Sequence, residues 1–187
     1  MRIIRAADLT PAPWKNGGGI TREIARLSDD RGLLWRLSLA EIERDGPFSD
    51  FAGLERILTV IAGSGLVLEM PNRSPRLDRM DSCRFAGTTP VTARLSAGPV
   101  SDLNLMFRSD TLAGSVQPMR GEARQGMRPG PGETLVVHVV AVGATLNGAD
   151  LGPGDTVLDA AGDLVLPAGG EAIRISIVQR PVAPIAK

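Results

Sequence analysis

Apolar and polar positions alternate along much of this chain with a period of two, the spacing of a strand with two unlike faces. From Leu33 to Glu43, Leu33, Trp35, Leu37 and Leu39 fall on one face, and Leu34, Arg36, Ser38, Ala40 and Ile42 on the other. Asp102–Arg108 alternates in the same way, with Asp102, Asn104, Met106 and Arg108 opposite Leu103, Leu105 and Phe107. Arg56–Ala62 is an apolar run closed by Gly63-Ser64-Gly65 and answered by Leu66–Met70, which predicts a hairpin with a short glycine turn. Further strands are predicted over Val91–Leu95, Thr134–Val142, Thr156–Asp159 and Glu171–Gln179, with a breaker at Gly143 and a turn at Leu146–Gly148. Only Asp50–Leu58 and Asp110–Gly114 have the make-up of a helical turn. Met70–Arg76 and Gln125–Gly132 read as the principal loops. Short strands between Gly/Pro turns predict an all-β sandwich or barrel. Because both halves carry a strand–Gly–strand unit, a duplicated β-barrel sharing one packed interface is expected.

Composition narrows the classes of function. The 187 residues include 21 basic and 21 acidic side chains, one His and one Cys. Zero net charge gives no basic footprint for nucleic acid. A single Cys forms no internal disulfide, which suits a reducing compartment. One His and one Cys cannot complete the N/S ligand set of a structural zinc site. The opening residues lack the apolar stretch of a signal peptide, and no apolar run approaches the roughly 20 residues that span a bilayer. A soluble, cytoplasmic protein is expected. Lys15 and Lys187 are the only lysines, so Lys15 stands alone within the chain.

Lys15 belongs to the most unusual segment, Trp14-Lys15-Asn16-Gly17-Gly18-Gly19-Ile20-Thr21-Arg22-Glu23. Consecutive glycines let backbone N–H groups approach a ligand without side-chain obstruction. Lys15 adds charge, Asn16 donors and acceptors, and Trp14 a stacking face, a set that suits a small anionic or carboxylate-bearing ligand. The alternative is a flexible turn into the first strand, with Trp14 plugging a barrel end. No Gly-Lys-Ser/Thr follows the glycines, so this is no P-loop. Arg36 and Ser38 lie opposite an apolar face, as do Asp102 and Asn104. These four face either solvent or a polar lumen. Phe48 and Phe51 form a turn of buried aromatics, with a pocket wall as their second role. His138, inside an aliphatic strand, reads as a hydrogen-bonded structural residue, Cys83 as a packing residue, and Asp155 as a turn-bonding carboxylate.

The segments PWKNGGGITREI at 13–24, WRLSLAEIERDGPFSDFAGLERILTVIAGSG at 35–65 and FAGTTPVTARLSAGPVSDLNLMFR at 85–108 resemble successive motifs of the HutD/Ves family. The likeness is close over about the first 110 residues and general beyond them. LGPGDTV at 151–157 is similar to the Gly-Asp turn common in cupins. The resemblance implies a bicupin: two cupin-type (RmlC-like) β-barrels in one chain, approximately 1–110 and 111–187, whose terminal strands exchange or stay home. It also implies a link to bacterial histidine utilisation and no established activity. The expected ligand is therefore a small metabolite such as urocanate or formylglutamate, and the expected role that of a sensor or modulator. Metal-dependent cupins use two or three His and a Glu, which one His cannot supply. A metal-free and cofactor-free pocket is expected in the first barrel. Its expected lining is Trp14, Lys15, Asn16, Gly17, Gly18, Gly19, Thr21, Glu23, Arg36, Ser38, Asp102 and Asn104. The runner-up is a cofactor-free acid–base isomerase or hydrolase, with Glu23 or Asp102 as base and Lys15 as acid. A homodimer is a further expectation; nucleic acid and membranes are not expected partners.

Overall fold

The computed structural model of the protein describes residues 1–181. Within them the regular structure is all β, apart from one 3-10 turn at Ala6–Asp8. The strands run β1 (Arg2–Ile4), β2 (Pro11–Pro13), β3 (Gly19–Asp29), β4 (Gly32–Ile42), β5 (Gly46–Pro47), β6 (Leu54–Ala62), β7 (Leu66–Glu69), β8 (Arg76–Leu77), β9 (Ser82–Ala86), β10 (Thr92–Leu95) and β11 (Val100–Arg108). They continue as β12 (Leu112–Arg120), β13 (Ala123–Met127), β14 (Glu133–Ala141), β15 (Ala144–Leu146), β16 (Ala149–Leu151), β17 (Thr156–Leu158), β18 (Gly162–Leu166) and β19 (Glu171–Gln179). No helix is long and apolar enough to cross a membrane among the described residues. Both predicted helical turns are instead reverse turns that lead into β6 and β12.

The chain divides into two compact units. One is Asp8–Phe107; the other joins Met1–Ala7 to the chain from Arg108 onward. In Asp8–Phe107, a six-stranded sheet of order β2-β3-β4-β11-β6-β9 accompanies a four-stranded sheet of order β5-β10-β7-β8. Ile42, Leu58, Val60 and Val100 from the first sheet share one apolar cluster with Leu66, Leu68, Leu77 and Ala93 from the second. These side chains are almost wholly removed from water, the main source of stability for such a sheet pair.

The predicted hairpin over Arg56–Met70 does not form. β6 pairs with β9 and lies beside β11, whereas β7 pairs with β10 and β8 in the other sheet. Gly63-Ser64-Gly65 is thus a corner between sheets. Gly63 has φ of 94°, and a Cβ on it would lie 2.5 Å from the Pro99 carbonyl oxygen. The backbones meet at the corner too closely for any side chain there.

The second unit has a five-stranded sheet of order β1-β17-β14-β19-β12 and a four-stranded sheet of order β13-β18-β15-β16. Leu135, Val137 and Val139 of β14 cluster with Leu146, Leu164 and Leu166 of the smaller sheet. Residues Gln125–Met127, expected in a loop, belong to β13 and pair with β18. The N-terminal strand β1 joins this unit by pairing Ile3 with Val157. Asp155 secures it: the carboxylate accepts from Arg5 Nη1 at 2.7 Å, from the Ala6 N–H at 3.0 Å and from the Gly152 N–H at 2.9 Å. His138 is 1% exposed and its Nδ1 lies 2.9 Å from Thr156 Oγ1, a structural hydrogen bond.

Candidate functional site

Strand register builds the site in Asp8–Phe107. On β3, β4 and β11, Thr21, Ala40 and Asp102 stand in one cross-strand row. Glu23, Ser38 and Asn104 form the next row, and Arg36 stands opposite Met106 in the third. Residues directly opposite in an antiparallel sheet share a face. Further along that face, Ile42 and Val100 enter the apolar cluster. One face is therefore oily at one end and polar at the other. The polar end lines a cavity of about 560 Å³. Arg36, Ser38, Asp102 and Asn104 all line this cavity, and Ser38, Asp102 and Asn104 are less than 5% exposed.

The Gly-rich segment supplies one wall. Trp14, Lys15 and Asn16 line the cavity. Trp14 Nε1 donates to Thr21 Oγ1 at 2.7 Å, and the indole meets the Phe48 ring edge-on at 6.4 Å between centroids. Lys15 is itself exposed. The glycines do not line this cavity. The Gly17 N–H bonds the Trp14 carbonyl at 3.0 Å, and the Gly18 N–H bonds Asn16 Oδ1 at 3.0 Å. Those donors close the loop's own turn and do not face the cavity. Gly18 reaches a smaller neighbouring cleft of about 210 Å³. Gly19 is needed for close approach, since a Cβ there would lie 2.2 Å from the Glu41 carbonyl oxygen.

Sequence reasoning missed Arg56. Leu58 and Val60, two and four residues on, point into the core, so the same period turns Arg56 into the cavity. The signal was present as a charged residue opening an apolar run, but a run apolar throughout hides which face is inward. Arg56 is 5% exposed, and its guanidinium lies 5.1, 5.3 and 5.0 Å from the Phe48, Phe51 and Phe85 ring centroids. A cation over aromatic faces recovers part of the electrostatic stabilisation it loses on leaving water. Burial lowers its pKa to about 10, so it stays charged at neutral pH. Arg36 sits 5.3 Å from the same Phe51 ring, and its Nη2 donates to Met106 Sδ at 3.5 Å. Phe48 and Phe51 are wall residues of the cavity as well as packing residues.

Asp102 is fully enclosed beside these cations. Burial pushes its carboxyl up to about 7, against the opposing pull of the Arg56 charge and of a hydrogen bond with Asn104. Four buried side-chain atoms at the cavity have no hydrogen-bond partner among the described residues: Arg36 Nε, Arg56 Nε, Asp102 Oδ1 and Asn104 Oδ1. Native interiors pair nearly all such groups, and these four gather at one cavity. The cavity lining contains two carboxylates, Glu23 and Asp102, and no His or Cys. Among the described residues no three His, Cys, Asp or Glu side chains cluster to hold a metal. That donor set does not fit the His-rich centre of metal-dependent cupins.

Comparison with known proteins places the chain. At 39% identity over 127 residues, 66% of this chain and 67% of the other, it resembles an uncharacterized 21.2 kDa protein in the hutC 3′ region of Pseudomonas putida. It is 41% identical to protein Ves of Citrobacter koseri over 107 residues, which is 56% of either chain. Among solved structures, HutD from Pseudomonas fluorescens SBW25 superposes with a TM-score of 0.83 at 34% identity, over 96% of this chain and 99% of that one. A cupin 2 conserved barrel domain protein from Leptotrichia buccalis matches at a TM-score of 0.56 and 10% identity, over 96% of each chain. At that identity only the fold is shared, and it is cupin-like. The HutD family profile matches residues 6–180. This chain belongs to the HutD family.

Proposed function

We propose that the cavity of Asp8–Phe107 binds a small carboxylate-bearing metabolite, of the urocanate or formylglutamate class, without a metal. The protein then serves as a cytoplasmic sensor or modulator of histidine utilisation, each unit being a cupin-type barrel of a bicupin. The observation that carries this is the charge of the cavity. Lys15, Arg36 and Arg56 line it against Glu23 and a hard-to-ionise Asp102. A buried guanidinium stays protonated and matches a carboxylate in geometry. The relative from the hutC 3′ region supports the pathway. Cofactor-free acid–base chemistry is a second reading, favoured by a carboxyl whose pKa stands near neutrality.

Thermal denaturation with urocanate and with N-formylglutamate tests the reading. At about 100-fold above Kd, a bound acid raises Tm by about 5 °C or more for a chain of this size. Arg36→Gln and Arg56→Gln abolish the rise. No shift with either acid refutes the carboxylate reading. NMR of the same mixtures tells the two roles apart, since an unchanged ligand spectrum over hours excludes turnover of these acids.

A further inference from the structure

The unpaired atoms at the cavity are of two kinds. Arg36 Nε and Arg56 Nε are donors, and a carboxylate answers donors. Asn104 Oδ1 and, once its carboxyl is ionised, Asp102 Oδ1 are acceptors, and no carboxylate can answer those. The two acceptors come from alternate positions of β11 on a single face, opposite Ala40 and Ser38. A hydrogen bond between the two side chains leaves each with one free oxygen. Asp102 is 1% and Asn104 4% exposed, on a strand buried on both faces, so neither can swing away to find water elsewhere.

We infer that Asp102 and Asn104 are a specificity pair that accepts a hydrogen bond from an N–H or O–H of the ligand, so that the cavity selects acids carrying a donor. This rests on the carboxylate reading and adds to it the chemistry of the ligand's second group. Both oxygens are shut off from water and unanswered. An acid with a donor supplies the missing hydrogen bonds; an acid of the same shape without one leaves two buried acceptors bare. Because the unmade bond is more costly than the made bond is favourable, a site with fixed acceptors discriminates strongly against the analogue lacking the donor. The guanidiniums draw in any acid, and the oxygen pair decides which one stays.

The experiment compares matched acids by calorimetry at pH 8. One pair is urocanate and 3-(3-furyl)acrylate, in which the ring loses its N–H. The other is N-formylglutamate and its oxygen isostere, the formate ester of 2-hydroxyglutarate. In at least one pair the donor-bearing acid binds the wild-type protein about 10- to 100-fold more tightly. In Asp102→Leu and Asn104→Leu, which keep the side-chain size and remove the acceptor, that ratio falls toward one. A variant that merely folds poorly weakens both members of a pair alike, so the ratio separates selectivity from damage. Equal binding of both members in both pairs overturns the specificity pair and leaves the carboxylate reading standing. So does a ratio that the leucine variants leave intact. Failure of all four acids to bind overturns the carboxylate reading, and the inference with it.

Discussion

Asp102 and His138 are both fully buried, and burial acts on them with opposite signs. Folded Asp102 holds its proton to about pH 7, against the ordinary value of 3.8. Between those values the folded state carries the extra proton, so this group lowers stability as pH rises. Burial takes folded His138 down to about 4 from 6.5. There the unfolded state carries the extra proton, so this group raises stability as pH rises from about 4 to 6.5. Asp102→Asn removes the first effect and keeps the shape. In urea denaturation the variant should gain on the wild type by up to about 1.4 kcal/mol per pH unit from pH 4 to 7, with little difference at pH 4. A gap that stays constant with pH would show that Asp102 ionises normally. Little of this was legible beforehand: the alternation placed Asp102 opposite an apolar face, but whether that face met water depended on a neighbouring sheet.

At the scale of elements, the corner after β6 decides which strands become neighbours. The apolar runs on either side of Gly63-Ser64-Gly65 have the sequence of a hairpin, yet they enter different sheets. Local pattern sets strand and turn, whereas pairing partners are set by which backbones can approach. Gly63→Ala meets a positive φ and the Pro99 carbonyl together. It should cost about 1–3 kcal/mol by denaturant melting. Gly46→Ala serves as the comparison, because its Cβ meets nothing within 4 Å and its φ is not positive; it should be neutral within about 0.5 kcal/mol. Equal effects from the two substitutions would remove the special status of the corner. The Gly-rich turn teaches the same lesson: its N–H groups looked free for a ligand, and the folded loop uses those of Gly17 and Gly18 to close itself.

For the whole molecule, the site belongs to Asp8–Phe107, all of its lining residues lying in that unit. Hydrogen exchange of the intact chain with N-formylglutamate or urocanate should therefore slow amides of β3, β4 and β11 most. Protection concentrated in β14 and β19 would move the site to the other unit. The sequence by itself determined that the chain is all β, where most of the longer strands run, and that the polar residues of β4, like those of β11, gather on one side of their own strand. Those properties follow from period-two alternation and turn residues, which act between near neighbours. The motifs also placed it in its family. Only the tertiary structure decided that this face is a cavity, that Arg56 enters it within a cage of phenylalanines, and that Asp102 and Asn104 are left with unanswered acceptors. Register, sheet partners and exclusion of water are set by residues far apart in the chain, and no local pattern encodes them.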